Sequence, residues 1–270
     1  MNGINRRRGA CIKRIKAEHM RRLEEEHADT DHRKYAYDFD YRMHGYILRR
    51  LEDRMPTGRA LELGCYHGEF TRHLEQRYAD LTVAEGADDL IEIARAAVSR
   101  RVTFVKTLFE TFEPQAEFDA IFLVHTLEHL DDAVAQLARF GSWLRRDSGR
   151  LFVVVPNAHA ASRQIAVEMG LITHASAVTD AERAHGHRQT YSLDTLVRDC
   201  RAAGLTVVDR GGVFFKPFAN FQFDALLKSG VISEDYLEGC YQLGLRYPDL
   251  CSSIFAVCER HPAPPPHHGP

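Results

Sequence analysis

The chain has 270 residues, of which 44% are hydrophobic and 27% are charged, and its formal net charge is -3 at pH 7. A chain of this size can bury the core of one domain with short appendages. The slightly acidic balance gives no general reason to expect a nucleic acid as partner. No apolar run approaches the length of a membrane span, and the N-terminus lacks the apolar core of a signal peptide. We therefore expect a cytoplasmic protein that does not associate with membranes.

The cysteines do not form a pattern that is typical of disulfides or of structural zinc. Six of them are spread along the chain, without a CxxC pair, at positions 11, 65, 200, 240, 251 and 258. This usage favours reduced, mostly buried thiols. No metal site is predicted.

Three regions are expected from composition. Residues 1–33 are strongly charged, basic first and then acidic, and are interpreted as an N-terminal arm. Residues 34–260 form the main domain, and the proline- and histidine-rich residues 261–270 are expected to be a disordered tail. The main domain begins with an aromatic segment at 34–46 that leads into a helix. Its tyrosines either contact a ligand or pack that helix onto the core.

Strand and helix patterns alternate after this segment, and the alternation predicts a doubly wound, Rossmann-like α/β sheet. The first strand pattern is Leu61–Leu63, and the later strands are predicted at 81–85, 102–106, 118–124 and 149–156. The helices between them are predicted at 69–78, 90–100 and 131–144.

The regular alternation of strand and helix patterns ends after residue 156. Residues 157–190 are predicted to be an inserted, partly helical lid over the site, with a helix around 161–169. A helix at 192–203, a strand at 205–209 and a last strand at 253–258 follow. Between the last two strands, 213–250 contains an aromatic run and a helical stretch, and it is predicted to be a second cap segment on the substrate side.

The stretch from Leu61 to Phe70 indicates a cofactor site. Gly64 and Gly68 allow a sharp turn and a close approach to a ligand, and the helix that follows offers free N–H groups. Glu85 ends the next strand pattern, where nucleotide-binding folds place an acid that accepts hydrogen bonds from ribose hydroxyls.

Together these motifs resemble the class I S-adenosylmethionine-dependent methyltransferases, in particular the small-molecule enzymes with a His-x-Leu-Glu-His sequence after the fourth strand. Glu62-x-Gly64 with Gly68 looks like the first motif, Glu85 like the ribose-binding acid, and residues 125–129 read His-Thr-Leu-Glu-His. The resemblance implies S-adenosylmethionine as cofactor and a seven-stranded sheet whose last strand is antiparallel. Tyr66 stands where the family usually has a glycine.

The resemblance and the polar residues near the expected site give a set of candidate residues. Cofactor contacts are predicted for Glu62, Gly64, Cys65, Tyr66, Gly68, Glu85, Gly86, Leu108, Phe109, Val124, His125, Tyr35 and Tyr41. Catalytic roles are predicted first for His125 and then for His129 and His185. Substrate contacts are predicted for Tyr37, Asn157, Arg163, His187, Arg188, Tyr191 and Lys216.

Other interpretations of the same residues stay open at this point. His125-x-x-Glu128-His129 matches the HxxEH motif of some zinc proteases, although His125 directly ends a strand and is not predicted to share a helix face with His129. The nucleotide site also suits a dehydrogenase, although GxGxxG is absent. The basic arm suits an RNA methyltransferase, and a binding module without catalysis uses the same pocket.

The sequence thus predicts transfer of the sulfonium methyl group to an oxygen or nitrogen of a small polar metabolite, including an anionic one. The expected partner is this small molecule, with no nucleic acid and no membrane. Nothing in the sequence indicates an oligomeric state.

Overall fold

The computed structural model describes residues 36–261 together with Glu26. The predicted arm at 1–33 lies outside the described residues except for Glu26, and the predicted tail at 261–270 lies outside them except for His261. Tyr35, a predicted cofactor contact, also lies outside the described part of the chain.

The described strands form one seven-stranded sheet in the order β3-β2-β1-β4-β5-β7-β6. Their bounds are β1 Arg59–Leu63, β2 Asp80–Glu85, β3 Thr103–Lys106, β4 Ala120–Val124, β5 Arg150–Pro156, β6 Leu205–Phe215 and β7 Cys251–Arg260. The first five strands pair in parallel, and β7 is antiparallel to both β5 and β6. The predicted Rossmann-like sheet with an antiparallel last strand is confirmed.

Helices cover both faces of this sheet. Their bounds are α1 Asp38–Leu51, α2 Glu69–Leu74, α3 Asp88–Ala97, α4 Ala133–Ser142, α5 Ala161–Glu168, α6 Asp180–Ala184, α7 Leu193–Ala202, α8 Asn220–Lys228 and α9 Glu234–Arg246. Apolar residues of α1, α2, α8 and α9 pack with Phe122 and Phe152 on one face, and those of α4 and α7 pack with Leu123 and Val153 on the other. The central strands are therefore apolar on both sides, as expected for a doubly wound sheet.

The helix predicted at 69–78 is shorter in the structure, where α2 ends at Leu74. Two further element predictions differ more strongly. The strand predicted at 205–209 continues as β6 to Phe215, because Gly212 lets it pass β7 closely: a Cβ at Gly212 would lie 2.6 Å from Cys251 Sγ. The first two aromatic residues of the predicted cap segment thus belong to the sheet. The single helical stretch predicted after them is two helices, α8 and α9, separated at Gly230, whose φ is +72°.

This topology determines where a ligand can bind. The chain order reverses between β1 and β4, and the carboxyl ends of these strands leave a crevice in which α/β folds bind ligands. The start of α1, the region of α5 and α6, and the start of α8 cover this edge, as predicted for a helical cap and an inserted lid. None of the helices in the described residues is both long enough and apolar enough to cross a bilayer.

Candidate active site

A cavity of about 510 Å³ lies at the carboxyl edge of the sheet. It is lined by the turn after β1, the ends of β2, β4 and β5, and residues of the cap segments. Most of the predicted site residues line it, namely Tyr37, Tyr41, Glu62, Gly64, Cys65, Tyr66, Glu85, Gly86, Leu108, Phe109, Val124, His125, His129, Asn157, Arg163, His185, His187, Arg188 and Lys216. The sheet topology therefore brings together residues that are far apart in sequence.

The turn after β1 has the left-handed conformation that its glycines allow. Gly64 has a φ of +77°, and a Cβ there would lie 2.9 Å from Thr126 Oγ1, so only glycine fits without a shift. Tyr66 also has a positive φ, +47°, and its ring stacks on His67 with 3.8 Å between the ring centroids. Tyr66 thus adopts a left-handed backbone conformation that costs a residue with a Cβ about 1–2 kcal/mol of strain.

Glu85 is fixed at the floor of the cavity by backbone amides. Its Oε2 accepts from Cys65 N at 3.1 Å, and its Oε1 accepts from Gly86 N at 2.6 Å and from Ala87 N at 3.0 Å. The thiol of Cys65 also lies 3.9 Å from Oε2. An ionised carboxylate has about four acceptor positions, so with three amides bound one position is left for a ribose hydroxyl, next to this long thiol contact. The carboxylate is 7% exposed and lies across the turn from Gly64.

Glu62 lies beside this turn and is almost completely buried, with 2% of its surface exposed. Thr71 donates to its Oε2 at 2.6 Å. Burial raises the pKa of Glu62 to about 8, and the nearby Glu85 raises this pKa further in the same direction. Glu62 is therefore protonated at neutral pH and has a proton to donate to a polar ligand in the cavity.

His125 lies at the end of β4 in a strained conformation with a φ of +50°. Its N–H donates to Val154 O at 2.8 Å, and its Nε2 is 2.9 Å from Ser253 Oγ, which fixes the ring. Burial lowers the pKa of His125 to about 3, with smaller contributions from His44, His187 and Lys216. The imidazole is therefore neutral at neutral pH, and it is a weak base.

A partly buried polar chain along the cavity connects the second cap segment, 213–250, to α1. Lys216 Nζ donates to Asn220 Oδ1 at 2.5 Å, and Asn220 Nδ2 donates to Asp40 Oδ1 at 2.5 Å. Burial lowers the pKa of Lys216, which the charge of Asp40 partly offsets, and burial raises the pKa of Asp40. Lys216 is the predicted substrate contact whose positive charge faces this cavity.

The two predicted arginines already hold protein partners. Arg163 donates to Ala175 O, to Ala177 O and to the carboxylate of Glu182, which ties the lid segment together. Arg188 is 3.0 Å from a carboxylate oxygen of Glu26 and 3.1 Å from one of Asp131. Both line the cavity, but their main observable role is to hold the lid rather than to bind an anion.

Three more ionisable side chains converge beside His125. One ligand atom each from Glu128, His129 and His187 lies within 4.8 Å of the other two, and the rings of His129 and His187 are 4.7 Å apart. His185 lies two residues before His187, at the end of α6. The HxxEH motif in the sequence would make His125 a metal ligand together with His129. In the structure His125 contacts Ser253, and His187 of the lid joins Glu128 and His129 in its place.

Two predicted site residues do not line the cavity. Tyr191 was predicted to contact the substrate, but it is 1% exposed and packs in the core, where its hydroxyl accepts from Gln189 Nε2 at 2.6 Å. Gly68 was predicted to contact the cofactor, but it begins α2 with a φ of +81° and packs against Ala94. Gly68 therefore shapes the turn from behind, because a Cβ there would lie 2.9 Å from Ala94 Cα.

Asp40, His44 and Ser253 line the cavity but were not predicted from the sequence, and Asn220, which also lines it, was not predicted to contact a ligand. Asp40 and His44 had a detectable pattern: they are four residues apart on α1, adjacent to its buried stripe at 39, 43, 47 and 51. No local pattern distinguishes Ser253, which reaches the cavity because β7 lies beside β5.

Comparison with known proteins agrees with this geometry. Residues 33–210, well over half of the chain, match the model of a family described as a methyltransferase domain. The chain belongs to this methyltransferase family. It is a class I S-adenosylmethionine-dependent methyltransferase, and S-adenosylmethionine is its cofactor. The dehydrogenase and zinc-protease interpretations of the sequence are set aside by this membership.

The enzyme is similar to several characterised proteins. It is 28% identical over 183 residues to a ubiquinone biosynthesis O-methyltransferase of Xanthomonas axonopodis pv. citri, covering 65% of this chain and 73% of the relative. The fold is similar to that of the N-methyltransferase NodS from Bradyrhizobium japonicum, solved with S-adenosyl-L-homocysteine, with a TM-score of 0.56, 18% identity and coverage of 89% and 97%. An S-adenosylmethionine-dependent methyltransferase from Mesorhizobium loti has a TM-score of 0.56 and 13% identity, with coverage of 80% and 98%.

Proposed function

We propose that the enzyme methylates an oxygen or nitrogen of a small polar metabolite, and that an anionic group on this metabolite binds near Lys216. The observation that carries the proposal is the enclosed cavity that joins the Gly64 turn and Glu85 on one side to His125 and Lys216 on the other. The ubiquinone O-methyltransferase relatives favour an oxygen acceptor.

The residues around the Gly64 turn fit S-adenosylmethionine. The bound cofactor supplies an electrophilic methyl group on a sulfonium. Glu85 has about one acceptor position left for a ribose hydroxyl, and the glycine turn lets backbone groups approach the methionine part. Leu108 and Phe109, which follow β3, offer an apolar surface for the adenine.

His125 is suited to hold the acceptor. The hydrogen bond with Ser253 orients its ring, and the hydrogen bond from its backbone N–H to Val154 O holds the main chain at the end of β4. A pKa of about 3 makes this imidazole a weak general base. We assign His125 to orienting the acceptor by a hydrogen bond, and the rate gain to placing the reacting groups and excluding water.

Lys216 gives the cavity its preference for an anion. Its ammonium group donates to Asn220 and has further donor positions. Because Lys216 is partly buried, salt screens its attraction for an anion less than it would at the open surface. The positive charge is partly balanced by Asp40, which reaches Lys216 through Asn220.

The proposal is tested by binding first and turnover second. Calorimetry with S-adenosylmethionine should show binding, and incubation with labelled cofactor and fractionated metabolites should label a small polar molecule. His125→Ala should retain cofactor binding and lose most turnover, whereas His159→Ala, at an exposed position after β5, should keep both. Label that appears only in RNA, or full turnover by His125→Ala, would contradict the assignment. The basic arm that motivates the RNA alternative lies outside the described residues.

A further inference from the structure

Glu128, His129 and His187 form a cluster in the cavity to which the proposed function assigns no role. Glu128 and His129 belong to a short 3-10 turn, Leu127–His129, that follows β4, and His187 follows α6 in the lid. Arg188 N donates to Glu128 O at 2.8 Å, so a backbone hydrogen bond holds the lid segment against the turn. The three side chains therefore meet because two distant segments are joined at this point.

One carboxyl oxygen of Glu128 has no hydrogen-bond partner among the described residues. This oxygen is Oε2, and the residue is 2% exposed. A buried carboxylate oxygen without a partner costs free energy, and proteins usually satisfy such groups with a hydrogen bond or an ion. The two arginines that line the same cavity pair with other carboxylates. Arg188 contacts Asp131 and Glu26, and Arg163 contacts Glu182.

The three side chains offer atoms that divalent metals bind. Imidazole nitrogens are the commonest metal ligands in proteins, and carboxylate oxygens serve in the same sites. A cation bound between the two histidines would also give Glu128 Oε2 a partner.

We propose that Glu128, His129 and His187 bind a divalent transition-metal ion whose open position takes the acceptor oxygen of the substrate. Two imidazoles and one carboxylate are a ligand set that catalytic zinc and non-haem iron sites use, with positions left open. In a tetrahedral site the ligand atoms are about 3.4 Å apart, so the atoms within 4.8 Å need only small side-chain rotations to close around an ion.

The ion would act on the acceptor rather than on the methyl donor. All three residues line the same cavity as His125, the residue that we assign to orienting the acceptor. A metal-bound hydroxyl has a lowered pKa, so it loses its proton to solvent and presents an oxygen nucleophile without a strong protein base. This role rests on the proposed transfer to an oxygen, whereas the binding of the ion does not.

The test measures binding of Co²⁺, a spectroscopic probe for zinc-type sites. The full chain, freed of metal with a chelator, is titrated with Co²⁺ while the visible absorbance and the bound metal are measured. We expect one ion that gives a ligand-field spectrum in the parent, and its loss in His187→Ala and Glu128→Gln. His159→Ala should retain it, and the histidines at 261, 267 and 268 are present in every variant, so they do not affect the comparison.

The outcomes separate this inference from the proposed function. Binding of S-adenosylmethionine by each variant shows that it is folded, and Glu128→Gln carries the test where His187→Ala fails this control. A parent that gives no such spectrum, or folded variants that bind Co²⁺ as the parent does, would overturn the metal site and leave methyl transfer untouched. A parent that binds Co²⁺ but neither binds the cofactor nor transfers a methyl group would refute the proposed function and leave the metal site standing.

Discussion

At the scale of single residues, the backbone of Tyr66 departs from what its residue type favours. Its φ of +47° is a conformation that glycine adopts freely and other residues adopt at a cost. The ring offsets part of this cost by stacking on His67, whose Nδ1 is 3.2 Å from the Tyr41 hydroxyl. The turn therefore keeps its shape without the usual glycine, and the aromatic group remains at the edge of the cavity.

Substitutions at Tyr66 should follow an unusual order of stability. We expect Tyr66→Gly to be more stable than Tyr66→Val by about 1–2 kcal/mol, because glycine relieves the left-handed strain and valine does not. At Tyr236, an exposed position in α9, the order should reverse, because glycine costs a helix more than valine does. Urea unfolding of the four variants measures both differences. The same order at both positions would show that the turn does not impose this conformation.

Glu85 should determine the affinity for the cofactor. We expect Glu85→Ala to weaken binding of S-adenosylmethionine roughly 10- to 100-fold, since hydrogen bonds to a charged group contribute about 1.5–3 kcal/mol. Asp88→Ala is the matched control, because Asp88 is an exposed acid three residues later that pairs with Lys106. Calorimetry measures both. Equal affinities for the parent and Glu85→Ala would remove this residue from the cofactor site.

At the scale of elements, the start of α8 connects the cap to the N-terminal helix. Asn220, the first residue of α8, bridges Lys216 after β6 and Asp40 on α1, and Asp224 accepts from the backbone N–H of Phe39 at 2.9 Å. Phe39 and Phe223 stack beneath this bridge with ring centroids 4.2 Å apart. The two segments that cover the cavity are thus held together by both polar and apolar contacts.

Removing the bridge should loosen this cover. We expect Asn220→Ala to lower the free energy of unfolding by about 2 kcal/mol, because Lys216 and Asp40 both lose a buried partner. Amide exchange in α8 should accelerate together with the loss of stability. Lys228→Ala, exposed at the end of the same helix, should change stability by less than about 0.5 kcal/mol. If both variants are equally stable, the bridge does not hold the cap.

At the scale of the whole molecule, the cavity contains several ionisable groups whose pKa values are shifted so that the neutral form is favoured. Four histidines have a pKa lowered from 6.5 to about 3 or 4, mainly by burial, namely His44, His125, His129 and His187. Two carboxyl groups have a pKa raised from 4.5 to about 8, namely those of Glu62 and Glu128. Folding therefore favours the neutral form of both the histidines and the glutamates.

The stability of the metal-free chain should peak near pH 6.5. Below that pH the unfolded histidines bind protons that the folded ones do not, so stability falls as the pH drops toward about 4. Between about pH 4.5 and 8 the folded glutamates hold protons that the unfolded ones release, so their contribution falls as the pH rises. Urea unfolding at pH 5, 6.5 and 8 in a chelator would measure this profile.

A histidine variant isolates one of these contributions. His44→Asn should flatten the acidic limb of the profile, since the ring of His44 is buried and its Nδ1 has no partner among the described residues. His159→Asn, at an exposed position, should leave the profile unchanged. An acidic limb that is as steep in His44→Asn as in the parent would contradict this origin.

Predictions from the sequence succeeded where a local pattern carries the information. The strands β1, β2 and β4, the turn at Gly64 and the acid at Glu85 were all predicted, because hydrophobic periodicity and glycine placement are local properties. Tyr191 was misassigned because a tyrosine in a polar run gives the same local pattern whether it faces a ligand or the core. The extension of β6 past Gly212 was missed because a Gly-Gly pair usually ends a strand, and the close approach of Cys251 that it permits is a tertiary contact.

The sequence by itself determined the order of strands and helices, the family and hence the cofactor, because these depend on periodicity and on short motifs. Only the tertiary structure decided which side chains face one another across the cavity. In the tertiary structure His125 contacts Ser253, and Asn220 links Lys216 to Asp40. His187 of the lid lies beside Glu128 and His129. The physical reason is that these contacts join segments up to 180 residues apart, and burial within them, rather than residue type, sets the charge that each group carries.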